Sequence, residues 1–178
     1  MKMKVSELKN SYDVLIVGSG IAGLYAALNF PPTVNILMLS KKERHISNSS
    51  LAQGGVACVL DLENDSYDFH FEDTLIAGKN ENDSDAVRIL VEEGPKDVLR
   101  TIEYGVEYDR DENGNLIKTL EGGHSKRRIL HHKDTSGKEM VDKLMLAVEK
   151  LPNVTLCDNT MVATVITKQL CKKNKLLW

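Results

Sequence analysis

The segment Gly18-Ser19-Gly20-Ile21-Ala22-Gly23 stands between an apolar run, Val14-Leu15-Ile16-Val17, and a stretch of helix formers, Leu24-Tyr25-Ala26-Ala27-Leu28. An unbroken four-residue apolar run reads as a strand buried on both faces. Pro31-Pro32 stops the helix. Val34-Asn35-Ile36-Leu37-Met38-Leu39 then reads as a second buried strand. Strand, glycine turn, helix and strand in that order make a βαβ unit of a parallel sheet, so the chain is expected to be α/β and Rossmann-like. Each glycine has a use. Gly18 permits the tight turn, Gly20 lets backbone approach a pyrophosphate, and Gly23 lets helix and strand pack closely. The helix N-terminus behind them offers free N–H groups and a partial positive charge to phosphates. Gly18, Ser19, Gly20, Ile21, Ala22 and Gly23 are therefore candidate dinucleotide contacts.

A plain nicotinamide site would end the second strand with an acidic residue for the ribose. Here Ser40-Lys41 follows Leu39 instead. Ser40 can hydrogen-bond a hydroxyl and Lys41 can reach the cofactor from the loop. A second glycine site, Ala52-Gln53-Gly54-Gly55, lies just downstream. It can act as a loop turn or as a second contact with the same cofactor.

Other classes fall away. The charge-free stretch from Val14 to Phe30 could pass for a signal or membrane segment, but Asp13 abuts it, three glycines interrupt it and two prolines end it. No membrane association is expected. Lys and Arg total 23 against 26 Asp and Glu, a net charge of −3, which argues against a nucleic-acid binder. Cys58, Cys157 and Cys171 form no C-x-x-C pair. So no metal site is expected, and the sparse thiols suit a reducing, cytoplasmic compartment.

Downstream, Val56–Leu60 follows the second glycine site. Helices are expected over about Ser66–Ala77, Asp83–Glu93, Pro95–Tyr104 and Gly137–Leu151, the third opening on Pro at its first position. Val106–Tyr108 and Leu116–Thr119 flank Asp111-Glu112-Asn113-Gly114, a hairpin signal. Val154–Leu156 and Met161–Thr167 read as strands. Residues 121–132 are rich in glycine and base. Lys126, Arg127, Arg128, His131 and His132 serve either as an anion-facing cluster or as a solvated face with structural ion pairs.

Several blocks together resemble one flavoprotein family. They are residues 12–23, Leu39-Ser40-Lys41, and Ser49 through Ala57. His70-Phe71-Glu72-Asp73-Thr74-Leu75-Ile76-Ala77-Gly78, Glu121-Gly122-Gly123-His124-Ser125, Arg127-Arg128-Ile129-Leu130-His131 and Asp134-Thr135-Ser136-Gly137 follow in order. The chain resembles, over about residues 12–167, the succinate dehydrogenase, fumarate reductase and L-aspartate oxidase family. That resemblance implies FAD. It extends the cofactor contacts to Asn48, Ser49, Ser50, Leu51, Ala52, Gln53, Gly54 and Gly55, and to the Met161-Val162 backbone beside adenine. The dehydrogenases and quinol-linked reductases usually carry a flavin-bonding histidine where this chain has Asn48, and His45 lies three residues too early. A non-covalent flavin is implied, as in the aspartate-oxidising branch.

That branch removes a hydride from Cα of L-aspartate to give iminoaspartate, and passes electrons to oxygen or fumarate. Its product feeds quinolinate and NAD synthesis, which implies a functional link to quinolinate synthase. A dicarboxylate with an ammonium group needs an anionic partner for its nitrogen. The resemblance gives that substrate-orienting role to Glu121, against the plainer reading of a solvated loop charge. Family members are longer. They continue into a capping domain, the rest of the FAD domain and a C-terminal helical domain, and their catalytic arginine lies there. Residues 1–178 are therefore expected to be the N-terminal part of an FAD-binding domain, incomplete, with a helical insertion and a β-hairpin, and with little turnover alone. A soluble reductase of the same family and a non-catalytic FAD-binding remnant are the alternatives.

Overall fold

The computed structural model describes residues 8–167. The expected βαβ unit is present. β1 (Val14–Val17) pairs in parallel with β2 (Ile36–Leu39), and α1 (Ile21–Asn29) connects them. β5 (Val154–Cys157) joins the far side of β2, also parallel, giving the order β1-β2-β5. A second, two-stranded antiparallel sheet pairs β3 (Val56–Ala57) with β4 (Ile129–Leu130). Between β3 and β4 stands the helical insertion, α2 (Tyr67–Ala77) and α3 (Ser84–Glu103), and α4 (Ser136–Val148) leads from β4 into β5.

Alternation along the strands decides where the core sits. Val14 and Ile16 of β1 point inward and pack with Leu24 and Ala27 of α1 and with Met140, Val141, Leu144 and Val148 of α4. Leu130, Cys58, Val106 and Tyr108 bring the second sheet into the same core. On the other face Leu37, Leu39 and Cys157 are covered by Leu8, Tyr12 and Val162. β1 departs from its expected double burial. Among the described residues it is an edge strand, and its outward residues Leu15 and Val17 are 48% and 60% exposed.

The helix ends follow their side chains. Ser66 Oγ accepts from Phe69 N at 3.1 Å to cap α2, and Asp83 Oδ1 accepts from Ala86 N at 3.0 Å to cap α3. α3 corrects the expectation of two helices split at Pro95. The buried residues Val87, Val91, Pro95, Val98 and Thr101 are spaced 4, 4, 3 and 3 apart, one stripe running through the proline. Packing of that stripe offsets the single N–H that Pro95 lacks.

Two further expectations are corrected. The turn at Asp111–Gly114 forms, closed by Gly114 N to Asp111 O at 2.9 Å, but its flanks meet only at an isolated Arg110–Leu116 bridge. Val106 and Tyr108 are drawn into the core instead of a ladder, and Thr119 bridges to Ile129. Residues 161–167 form no strand. β5 ends in a turn at Asn159 (φ 54°), and among the described residues no strand lies beside 161–167 to share a ladder. The closing stretch from Lys168, including Cys171, lies outside the described residues. Among the described residues no helix is long and apolar enough to cross a membrane.

Candidate cofactor cleft and the Glu121 loop

The carboxyl ends of β1 and β2 open into a cleft of ≈ 480 Å³. Gly18, Ser19, Gly20, Ser40, Lys41, Asn48, Ser49 and Leu51 line it, all of them candidates from the sequence. Lys42, Ile46 and Ser47 line it too. Nothing in those three side chains singles them out; only their place in the 40–51 loop does.

The glycine turn has the geometry that its spacing demands. Gly18 sits at φ +109°, a conformation that side chains rarely adopt. A Cβ on Gly23 would collide with the Gly18 carbonyl and stand 3.1 Å from Ile16 Cγ2, so the helix rides directly on β1. Ser49 Oγ accepts from Ile21 N at 3.3 Å, which ties the 3₁₀ turn Ser49–Leu51 to the start of α1. Ala22 is exposed on the first turn of α1. Ser50 is turned inward to its own loop, its Oγ donating to Ser47 O at 2.7 Å.

No carboxylate takes the usual ribose place. Ser40 is buried there, 3.2 Å from Ser19 Oγ, while Ser19 Oγ donates to Arg44 O at 2.7 Å. Arg44 was not legible as a site residue. It grips Asp158 after β5 through Nε at 3.1 and 2.9 Å and reaches Glu149 at 3.2 Å, fixing the 40–51 loop. His45 pairs with Asp142 of α4 at 3.3 Å and does not line the cleft. Asn48 does line it.

Gln53, Gly54 and Gly55 are exposed and, like Ala52, are not among the cleft-lining residues; Ala52 O accepts from Gly137 N at 3.0 Å. A Cβ on Gly55 would strike Leu130 O, so β4 lies against this turn. Met161 is exposed, and Val162 packs on the outer face of β2 and β5. Neither is among the cleft-lining residues.

Glu121 is 67 positions from Gly54 in sequence, yet its Oε2 lies 3.8 Å from where a Gly54 Cβ would stand. Its loop is a turn closed by His124 N to Glu121 O at 3.2 Å, with Gly123 at φ +85°, the positive φ that a type II turn requires of its third residue.

The basic cluster divides. Arg128 has no exposed surface and is structural: Nε and Nη2 donate to Asp65 at 2.8 and 2.7 Å, and Nη1 to Asp73 at 2.5 Å. His131 pairs with Asp109 at 3.0 Å, and His132 Nδ1 lies 2.6 Å from Glu107 O. Arg127 remains exposed, and Lys126 lies over the Phe69 ring. Burial would raise the Asp65 and Asp73 carboxyls, but Arg128 and the Ser66 and Ser125 N–H groups outweigh it and hold both below the usual carboxylate range. His70 of α2 is lowered to about 4 by burial first, then by Arg128 and His124.

The glycine turn, the start of α1 set at the cleft through Gly20, and buried hydroxyls in place of a carboxylate all fit an FAD adenine-diphosphate end. The family model described as "FAD binding domain" matches residues 13–173. The chain belongs to this family. FAD is thus the cofactor of this FAD binding domain. L-aspartate oxidase of Clostridium perfringens is 45% identical over 152 residues, 85% of this chain and 34% of that protein. Chloroplastic L-aspartate oxidase of Arabidopsis thaliana is 37% identical over 167 residues, 94% of this chain and 26% of that protein. Among solved structures, E. coli quinol fumarate reductase FrdA superposes with a TM-score of 0.80 at 28% identity, covering 83% of this chain and 26% of that one. The chain therefore spans about a third or less of the length of these relatives.

Proposed function

We propose that this FAD binding domain holds FAD without a covalent bond and serves the oxidation of L-aspartate to iminoaspartate. Residues 1–178 correspond, on this reading, to the N-terminal part of the domain. Gly18–Gly23, Ser40, Lys41 and Asn48–Gly55 hold the cofactor, with the Met161-Val162 backbone as a further contact. When bound, FAD supplies the hydride acceptor. Glu121 carries the reading. A carboxylate beside the Gly54-Gly55 turn suits an ammonium group and not a bare dicarboxylate. The similarity to two L-aspartate oxidases supports the same substrate. Oxygen or fumarate would take the electrons, and the product would feed quinolinate and NAD synthesis, a functional link to quinolinate synthase. Sparse cysteines suit a cytoplasmic setting.

Acid precipitation of the FAD-loaded chain should leave the flavin in the supernatant; flavin retained on the pellet would sink the non-covalent assignment. L-Aspartate should perturb the bound flavin's absorption more than succinate does, with little hydrogen peroxide released by residues 1–178 alone. An equal response to both would favour a soluble fumarate reductase, the reading that the quinol fumarate reductase superposition supports. No response to either would leave an FAD-binding module.

A further inference from the structure

The Glu121 loop has no regular secondary structure, so something else must fix its carboxylate. Its base is the Thr119–Ile129 bridge, with Thr119 N to Ile129 O at 3.0 Å and Ile129 N to Thr119 O at 3.2 Å. Its middle is tied to α2. Asp73 Oδ2 accepts from both Ser125 N and Ser125 Oγ at 2.8 Å. The same oxygen accepts from Arg128 Nη1, which lies 3.2 Å from His124 Nδ1. Arg128 is in turn locked by Asp65, at the start of the helical insertion. Cys58 N donates to Arg128 O at 2.9 Å, so the backbone carrying this arginine is bonded to the strand that continues from Gly54-Gly55. The loop and the glycine turn are thus registered against one frame.

We propose that Asp73 and Arg128, with Asp65 behind them, are positioning residues that hold Glu121 over the Gly54 turn; their bearing on substrate rests on the reading of Glu121 given above. The carboxylates do not face the cleft. They act through His124, which closes the Glu121 turn, and Ser125, which follows it. Charge-assisted bonds in a buried setting set direction as well as strength, and a glycine-rich turn without them samples many conformations. Removing the frame should therefore move Glu121 without emptying the FAD cleft.

The test reads position directly. Gly54→Cys and Glu121→Cys are introduced together with Cys171→Ser, and a short bifunctional thiol reagent that fluoresces only on bridging two thiols is added. Adding Asp73→Ala should slow bridging about tenfold, the worth of one charge-assisted hydrogen bond. Asp73→Asn keeps an acceptor for Ser125 and should restore part of the rate. Ser125→Ala, at an exposed position, should slow bridging about threefold and keeps the test should Asp73→Ala not fold. Bridging within about twofold of the parent in folded variants, even with a lowered melting point, would refute positioning. In the chain that retains Glu121, Asp73→Ala should weaken the L-aspartate response of the flavin with FAD affinity unchanged. Slowed bridging with an unchanged aspartate response would uphold the clamp and refute the role given to Glu121.

Discussion

Arg128 and Asp65 meet through two parallel hydrogen bonds, Nε to Oδ2 at 2.8 Å and Nη2 to Oδ1 at 2.7 Å, with the guanidinium closed to water. A forked donor facing a carboxylate is the strong form of an ion pair, and removing one partner leaves a buried charge without compensation. Arg128→Met should cost about 3–5 kcal/mol of stability. Arg128→Lys keeps the charge and loses the fork, so it should recover only part of that. Urea unfolding midpoints measure both. A loss in Arg128→Met no larger than that of an exposed ion pair would show that the network does not hold the insertion to β4.

The same network sets an acid limit. His70 is neutral in the folded protein down to about 4, while an unfolded histidine takes a proton near 6.5. The unfolded chain then binds more protons in that window, so stability is complete above 6.5 and falls as pH drops towards 4. Asp65 and Asp73 are depressed below 3.8, so their share persists to lower pH and is lost as pH falls through their folded values. His70→Asn should flatten the dependence of the urea midpoint between pH 6.5 and 4 and leave the steeper loss below it. An unchanged slope in that window would mean that His70 takes up its proton at the same pH folded as unfolded.

What the sequence makes legible here is local. Gly18, Gly20 and Gly23 state their own turn, because spacing, flanking strands and helix all lie within reach of one another. The partners of Arg44 and Arg128 are distant: Asp158 is 114 residues from Arg44, and Asp65 is 63 residues from Arg128. No spacing rule spans such gaps, which is why Arg128 reads equally as an anion ligand or a structural ion and only burial decides. Pro95 misleads for the converse reason. Its local rule is sound, but the tertiary stripe from Val87 to Thr101 outweighs it. Met161–Thr167 has strand-like residues but, among the described residues, no neighbouring strand, and a strand exists only by pairing.

Arg44 should govern the cleft without lining it. Its bonds to Asp158 and Glu149 tie the 40–51 loop to the end of β5 and α4. Arg44→Ala should lower stability by about 1–2 kcal/mol, since Asp158 loses a charge-assisted partner. FAD affinity should fall by about tenfold through loss of loop order. Titration of FAD fluorescence quenching checks this, and unchanged affinity would mean the loop holds its shape through Ser47, Ser50 and Ser49 alone.

Gly23 and Gly20 should fail in different ways. A Cβ at Gly23 meets the Gly18 carbonyl, a backbone atom fixed by β1, so Gly23→Ala must push the helix off the strand. That should cost about 1–3 kcal/mol and FAD retention together. A Cβ at Gly20 meets only Ser49 Oγ, at 3.1 Å. Gly20→Ala should therefore stay within about 1 kcal/mol of the parent in stability, yet bind FAD at least about tenfold more weakly, because the added methyl stands where backbone must approach a pyrophosphate. Ser49→Ala, alone and added to Gly20→Ala, separates the two causes. It removes the crowded hydroxyl and leaves the methyl in the cleft. Because Ser49 itself lines the cleft, the comparison is with Ser49→Ala alone. The double variant should bind at least about tenfold more weakly than that single variant. Equal affinity of the two would show that Gly20 serves the packing of the Ser49 turn and not the approach of the cofactor.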